Sequence, residues 1–311
     1  MSILVKDPGF ATTVQDLGRY GYSHLGISPA GAADSLSFRI ANLVVGNDEN
    51  APALEMTLTG ATLQFEEPAI IAITGAECSV EADGRREDRA QSIQLEAGSL
   101  VKIGHIALGA RAYLAVQGGI DVPLVMGSAS THLSARFGGL EGRSLRRGDR
   151  LQVRQNSGLH SRVVRDGALP LVGVRTHTAL RITRGSQQDW FDSDALATLL
   201  SSPFCVSAQS GRTGLRLTGS TIHPQNTAQL LTDGVPLGAI QIPPDGQPII
   251  LFVDQQTTGG YPKIANVIAA DLHLVGQLRA RNTVRFAEVR IQHAIELLRE
   301  QEMWLKEIFA D

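Results

Sequence analysis

A polar segment of ten residues, Asp254–Lys263 (DQQTTGGYPK), interrupts an otherwise apolar stretch of the chain. The run Ile249–Val253 before it is β-branched and aromatic and is too short for an amphipathic helix, which predicts a buried strand. Residues 256–258 supply side-chain amide and hydroxyl groups, and the pair Gly259 and Gly260 can adopt positive φ. Such a loop between apolar elements predicts a surface that offers hydrogen bonds to a small polar ligand.

Lys263 closes this segment and is one of only four lysines in the chain. A lysine between Pro262 and Ile264 is a candidate for a compact charge or a proton-transferring amine held against a carboxylate, a carbonyl or a phosphate. The alternative is a structural lysine whose stem lies along a strand end while its ammonium reaches solvent.

A second polar cluster, near the N-terminus, contains Asp16, Arg19 and His24 in a glycine-punctuated loop. These residues could form an anion site, but Asp–Arg pairs this close in sequence more often fix a turn through a salt bridge. Further along, Asp34 precedes apolar residues at helical spacing. It is either a plain helix N-cap or part of an anion site at that helix N-terminus.

Most of the remaining sequence is typical of short strands at hairpin spacing. The chain has 32 glycines and few aromatic residues, which favours a turn-rich β protein, either a barrel or a sandwich. The predicted strands are Leu54–Leu58, Ala61–Phe65, Ala69–Thr74, Ser79–Ala82, Ser92–Leu95, Leu100–Ile103, Arg111–Val116, Val172–Arg175, Leu180–Thr183, Phe204–Val206 and Leu215–Leu217.

Three helices are expected among these strands. One begins at Asp34 and stops at Gly46, and another runs from a Ser193 cap to Leu200. A long helix covers Glu288–Phe309, and its apolar face should pack on the body of the protein or on a partner. That face consists of Ile291, Ile295, Leu298, Leu305 and Ile308.

Length and composition restrict the class of protein. At 311 residues the chain exceeds what one core usually serves, and a polar break at residues 156–158 predicts an N-terminal β domain over 1–158 and a C-terminal barrel domain over 159–311. The net charge is −3 without a basic run, so nucleic acid is not an expected partner. Because no apolar run approaches a membrane span of ~18–20 residues and no signal region opens the chain, we expect a cytoplasmic protein.

Several kinds of site lack their sequence signals. Cys78 and Cys205 lie far apart in apolar surroundings, which predicts buried free thiols. The chain has no nucleotide-binding glycine motif, no HExxH motif and no Ala-Met-Lys-Met biotin-acceptor motif. The chain therefore shows no recognisable ATP motif, and we expect no metal or biotin site in it.

Seven motifs, in order along nearly the whole chain, resemble the family of 5-oxoprolinase C subunits, also called KipA-like or allophanate hydrolase subunit 2 and related to biotin-dependent carboxyltransferases. They are Thr12–Arg19 (TTVQDLGR), Arg39–Asn47 (RIANLVVGN), Ala53–Thr57 (ALEMT), Tyr113–Asp121 (YLAVQGGID), Gly138–Arg143 (GGLEGR), Gly238–Pro248 (GAIQIPPDGQP) and Asp254–Lys263.

The resemblance implies a mainly β fold of two cyclophilin-like β-barrel domains with a few short helices and a long C-terminal helix. It also implies a role beside two other 5-oxoprolinase subunits, the A subunit together with a KipI-like B subunit, in the ATP-dependent opening of 5-oxoproline to glutamate. ATP would be used by the complex, and which of its subunits binds ATP stays open. Two alternatives follow from the same family, namely a KipA-like regulator that binds a KipI-like sensor-kinase inhibitor and a carboxyltransferase subunit of a biotin-dependent enzyme.

Opening a lactam requires activation of its carbonyl and stabilisation of an oxyanion. The resemblance and the residue types together assign catalytic roles to Lys263, Asp254 and Asp16. The residues expected to bind the substrate are Arg212, Thr257, Thr258, Gly259, Gly260, Gln256, Gln241 and Arg19.

Overall fold

The computed structural model describes residues 1–154, 176–226, 228 and 230–309. The fold is mainly β, as predicted. The chain divides into two compact units, the first made of Met1–Arg19, Ala30–Val174 and Trp304–Asp311 and the second of Tyr20–Pro29 and Arg175–Met303. The predicted boundary at residue 158 and the predicted strand Val172–Arg175 lie outside the described residues, and that boundary stays a prediction.

The first unit is built on a barrel-like sheet of ten strands, in which β2-β3-β8-β4-β1-β10-β9 form a continuous path and β5 pairs with β6, β7 and β8. Ile3, Val5, Leu63 and Phe65, all fully or almost fully buried, belong to its core. The strands are β1 Ser2–Asp7, β2 Ala11–Gln15, β3 Ala53–Thr57, β4 Thr62–Phe65, β5 Ala69–Ala82, β6 Arg85–Arg86, β7 Ile93–Leu95, β8 Leu100–Val116, β9 Ile120–Asp121 and β10 Arg150–Val153.

Two of these strands, β5 and β8, are longer than predicted. Each replaces a pair of short strands, because the pairing between them continues past three register shifts, from Gly75 to Val80. Gly75 has φ +87°, and a Cβ there would lie 2.5 Å from the Arg111 carbonyl oxygen. The glycine therefore bends a continuous strand where the sequence predicts a break between two.

The helix predicted from Asp34 is confirmed as α1, Ser35–Val44. The Asp34 carboxylate accepts a hydrogen bond of 2.9 Å from the Ser37 amide, so Asp34 is the N-cap. Buried residues of α1, among them Phe38 and Ile40, share an apolar cluster with Leu305 and Ile308.

The second unit contains a closed barrel in the order β11-β18-β15-β16-β13-β12-β19, and a separate two-stranded sheet of β14 and β17. The strands are β11 His177–Arg184, β12 Phe204–Val206, β13 Gly214–Thr218, β14 Asp233–Gly234, β15 Ala239–Gln241, β16 Ile249–Leu251, β17 Thr258–Gly259, β18 Lys263–Val267 and β19 Thr283–Glu288. Short 3₁₀ helices cover Ser23–Leu25, Gln188–Trp190 and Ala269–Asp271.

Three further helices are α2 Ser193–Ser201, α3 Leu272–Gln277 and α4 Ile291–Glu307. The predicted Ser193 cap of α2 is wrong, because Asp192 accepts the hydrogen bond from the Ala195 amide at 2.7 Å. The predicted apolar face of α4 is also only partly buried, since Leu305 and Ile308 are buried whereas Ile291 and Ile295 are 69% and 41% exposed. The sequence pattern marks an amphipathic helix correctly but does not show how much of its face is covered.

Candidate functional site

A cavity of about 350 Å³ opens on the second unit beside three strands of its barrel, β13, β15 and β16. Both polar and apolar side chains line it, as in many small-molecule sites. The lining residues are Gln209, Ser210, Gly211, Thr213, Gly214, Arg216, Gln241, Ile249, Leu251, Gln256 and Tyr261. Of the residues expected to bind substrate, the structure places Gln241 and Gln256 in this cavity.

Gln241 is the buried polar group of the cavity. It lies at the end of β15 and is 1% exposed. Its Nε2 donates to the Tyr261 carbonyl oxygen at 3.3 Å, and its Oε1 accepts from Gln256 Nε2 at 3.4 Å. Both contacts are long, so this amide can exchange them for hydrogen bonds to a bound molecule.

Position 259 favours glycine for a reason other than the predicted positive φ. Neither Gly259 nor Gly260 has a positive φ. A Cβ at Gly259 would lie 2.8 Å from Gln241 Nε2 and 3.2 Å from Val235 Cγ2. Glycine at this position therefore lets the loop backbone approach the buried amide closely.

Lys263 begins β18 and is 1% exposed, so it is not a surface lysine. Its Nζ donates to Asp233 Oδ2 at 3.0 Å, and Asp233 is 52% exposed. That hydrogen bond, followed by one from the Gly234 amide, holds the pKa of the Asp233 carboxyl below its usual value. Gln187 completes the group, because its Oε1 accepts from the Lys263 backbone amide at 3.2 Å.

Arg212 and Asp254 are paired with each other. The Arg212 guanidinium makes two hydrogen bonds to the Asp254 carboxylate, from Nε at 2.9 Å and from Nη2 at 3.0 Å. Their side chains are 10% and 2% exposed. This two-point pair joins the loop before β13 to the residues after β16, and it keeps both charges away from the cavity lining.

Thr257 and Thr258 lie where the predicted polar loop pairs with β14. The Thr257 carbonyl oxygen accepts from the Val235 amide at 3.0 Å, and Thr258 pairs with Gly234. Thr258 and Gly260 are exposed. The loop is therefore half of a small sheet, which places its backbone beside Lys263 and Asp233.

Asp16 and Arg19 belong to the first unit. The Asp16 carboxylate accepts hydrogen bonds from Ser128 Oγ at 2.7 Å, the Ala129 amide at 2.6 Å and the Gly18 amide at 2.8 Å, and also from Ser130 Oγ. These donors satisfy both carboxylate oxygens, which indicates that Asp16 fastens the loop at residues 128–130.

Arg19 is 2% exposed and also contacts that loop. Its Nη2 donates to the Ser130 carbonyl oxygen, and its guanidinium lies 4.7 Å from the centre of the Phe137 ring. Asp16, but not Arg19, also lines a second cavity of about 460 Å³ together with Asn47, Asn50 and Arg154.

Asp233, Gln187 and Arg216 are polar residues that the sequence analysis did not single out. Arg216 had a local signal, because it is the exposed residue between buried Leu215 and Leu217 in an alternating strand. Asp233 and Gln187 had none, since they are 30 and 76 residues from Lys263. In the described parts of the chain, no group of three or more His, Cys, Asp or Glu side chains could hold a metal ion.

Comparisons with known proteins cover most of the chain. The sequence model of the carboxyltransferase domain, subdomain A and B, matches residues 25–288. The 5-oxoprolinase C subunit of Haemophilus influenzae is 38% identical over 98% of this chain and 96% of that protein. Its Escherichia coli counterpart, also a 5-oxoprolinase C subunit, is 39% identical over 96% of this chain and 95% of that protein. The chain belongs to the family of 5-oxoprolinase C subunits. The family resemblance predicted from the seven motifs is thus confirmed.

Among solved structures, the urea amidolyase of K. lactis has the same fold over 99% of this chain, with a TM-score of 0.94 and 31% sequence identity. The chain spans only 20% of the length of that protein. This chain thus has the fold of one portion of a much larger protein. No helix among the described residues is both long and apolar enough to cross a membrane.

Proposed function

We propose that this chain is the C subunit of an ATP-dependent 5-oxoprolinase, which opens 5-oxo-L-proline to L-glutamate together with the A and B subunits. The similarity to two 5-oxoprolinase C subunits over at least 95% of every chain compared carries this proposal. A subunit that contributes hydrogen-bonding groups to a shared site would need a partner for the rest of the chemistry.

The cavity of the second unit supports a small cyclic amide as ligand. Gln241 and Gln256 can exchange hydrogen bonds with a lactam N–H and C=O, because a side-chain amide has both a donor and an acceptor. Ile249 and Leu251 supply apolar surface for ring carbons. ATP would activate the lactam carbonyl in the complex.

The catalytic roles of Lys263, Asp254 and Asp16 stay proposals. Each role requires a rearrangement of the structure. Every one of these charged groups already has a partner, which must move before the group can contact a substrate. Lys263 meets this condition most easily, since its partner Asp233 is half exposed and can turn toward solvent.

The test is reconstitution. The purified chain is mixed with the A and B subunits of 5-oxoprolinase, and glutamate formation from 5-oxoproline is measured with and without ATP. We expect product only when all three subunits and ATP are present. Full activity of the A and B subunits without this chain would contradict the proposal.

A carboxyltransferase role is the second candidate, because the family model is that of a carboxyltransferase domain and the fold matches urea amidolyase. The same mixtures are assayed with a carboxylated biotin carrier and urea in place of 5-oxoproline. Carboxyl transfer that depends on the biotin carrier, without glutamate formation, would favour this candidate. A KipA-like regulator would instead bind a KipI-like protein and show neither activity.

A further inference from the structure

The cavity beside β13 contains a cation without an opposite charge. Of the described residues that line it, Arg216 alone is charged at neutral pH, and none is Asp or Glu. Within the described part of the chain, the Arg216 guanidinium makes no hydrogen bond and no ion pair. An arginine with free donors at the edge of a polar cavity favours an anionic ligand.

The backbone of Arg216 is held in place although its side chain is free. Ser210 Oγ accepts from the Arg216 amide at 3.1 Å and donates to the Arg216 carbonyl oxygen at 3.3 Å. Ser210 itself lines the cavity. Buried Leu215 and Leu217 on either side fix the strand, so the backbone position from which the Arg216 side chain extends is set before any ligand binds.

Arg212 cannot bind an anionic ligand without breaking its ion pair with Asp254. Its guanidinium is bound at two points by a carboxylate that is 2% exposed, and it does not line the cavity. Releasing Arg212 would leave the buried Asp254 charge without its main partner, which is costly. Arg212 is the arginine that the sequence predicts to bind the substrate, whereas the geometry favours the arginine four residues later.

We propose that Arg216 binds the carboxylate of a small cyclic carboxylic acid in this cavity, while the buried Gln241 amide recognises an amide group of the same molecule. This proposal rests on the proposed function for the identity of the acid, 5-oxoproline, but the carboxylate site follows from the cavity itself. A volume of about 350 Å³ lies at the small end of ligand sites and suits one five-membered ring with its substituents.

The experiment measures equilibrium binding of three probes to the full chain. The probes differ in whether they have the lactam, the carboxylate or both. 5-Oxoproline has the lactam and the carboxylate, 2-pyrrolidinone has the lactam alone, and cyclopentanecarboxylate has the carboxylate alone. The variants are Arg216→Gln, Arg216→Lys and the control Arg290→Gln. Arg290 is an exposed arginine of the same unit and does not line the cavity.

We expect Arg216→Gln to bind 5-oxoproline and cyclopentanecarboxylate about 10- to 100-fold more weakly, as for loss of a charged hydrogen bond. Its affinity for 2-pyrrolidinone should not change. Arg216→Lys should recover part of the loss, and Arg290→Gln should bind all three probes like the wild type. In the reconstituted complex, Arg216→Gln should raise KM for 5-oxoproline by a similar factor and change kcat less.

The outcomes separate this proposal from the proposed function. Unchanged 5-oxoproline binding by a folded Arg216→Gln protein overturns the role of Arg216, even if the complex makes glutamate. A wild-type chain that binds neither carboxylate at millimolar concentration overturns the carboxylate site. If Arg216-dependent binding of cyclopentanecarboxylate is observed and the complete mixture forms no glutamate, the site stands and the 5-oxoprolinase role fails.

Discussion

Each charged residue that the sequence predicts to be catalytic has a hydrogen-bonding or oppositely charged partner, and Lys263 is the clearest case. Lys263→Met keeps the apolar stem and removes the ammonium that contacts Asp233 at 3.0 Å, so the chain should stay folded. If Lys263 binds the reacting oxygen, kcat of the reconstituted complex should fall on the order of 10²–10³. Glutamate formation and melting temperature are measured on the same preparation, and normal turnover would exclude Lys263 from the chemistry.

The same variant should change the titration of Asp233. Its pKa is lowered in the folded chain, first by the Lys263 hydrogen bond, so the pair contributes stability above the unfolded pKa of ~4. That contribution is lost as pH falls through the lower folded pKa. In Lys263→Met, the Asp233 pKa should rise toward ~4, which a carboxyl-carbon NMR titration checks.

The pair of Arg212 and Asp254 should be a stability determinant. Arg212→Met leaves a carboxylate of 2% exposure without its bidentate partner, and we expect a loss of about 3–5 kcal/mol in the free energy of unfolding. The control is the double variant Arg212→Met, Asp254→Leu, which removes both charges and should regain most of the loss. Urea unfolding measures all three proteins, and a loss below about 1 kcal/mol in the single variant would contradict this role.

The two cysteines differ, contrary to the prediction that both are buried. Cys78 is buried, and burial raises the pKa of its thiol to about 11, whereas Cys205 is exposed. A thiol reagent at pH 8 should therefore modify one cysteine in the folded chain and both after denaturation. Cys205→Ser should abolish the fast reaction, and fast modification that remains in this variant would contradict the assignment.

Helix α4 has a buried C-terminal end, whereas its N-terminal part exposes apolar side chains. Leu305→Ala should cost about 2–5 kcal/mol, because Leu305 is 1% exposed in an apolar cluster. Ile295→Ser should change the stability of the isolated chain by less than about 0.5 kcal/mol, since Ile295 is 41% exposed. Denaturant unfolding measures both. Weaker binding to the other 5-oxoprolinase subunits in Ile295→Ser would show that a partner covers this face.

The elements also show what local sequence patterns can predict. Apolar alternation correctly located β12, most of β13 and half of β11, because each buries alternate residues on one face. It divided β5 and β8 into shorter strands, since a glycine in a long bent strand gives the same signal as a glycine in a turn. Only the pairing of the two strands distinguishes a bend from a break.

For the whole molecule, the sequence predicted the family and the mainly β fold, because both depend on patterns that run along the chain. It did not predict which charges are paired. The ion-pair partners of Lys263 and Arg212 are 30 and 42 residues away, and the partners of Asp16 in the loop at residues 128–130 are more than 100 residues away. Long-range contacts of this kind follow from strand order, which spacing does not encode.

The whole chain is expected to assemble with another subunit. We expect the chain to co-elute with the KipI-like B subunit in gel filtration at micromolar concentration, because the cavity residues alone do not supply ATP-dependent chemistry. Separate elution of the two co-expressed proteins would count against a shared site.

The first unit includes residues from both ends of the sequence, and this affects biosynthesis. Leu305, Ile308 and Phe309 share its apolar cluster with Phe38 and Ile40 of α1. Domains usually fold in order as they leave the ribosome, at about 5–20 residues per second. Here the N-terminal unit is synthesised early but receives these three side chains only after the second unit has been made. The apolar cluster on α1 therefore stays incomplete for roughly 8–30 s at that rate. During this time a chaperone has access to exposed α1.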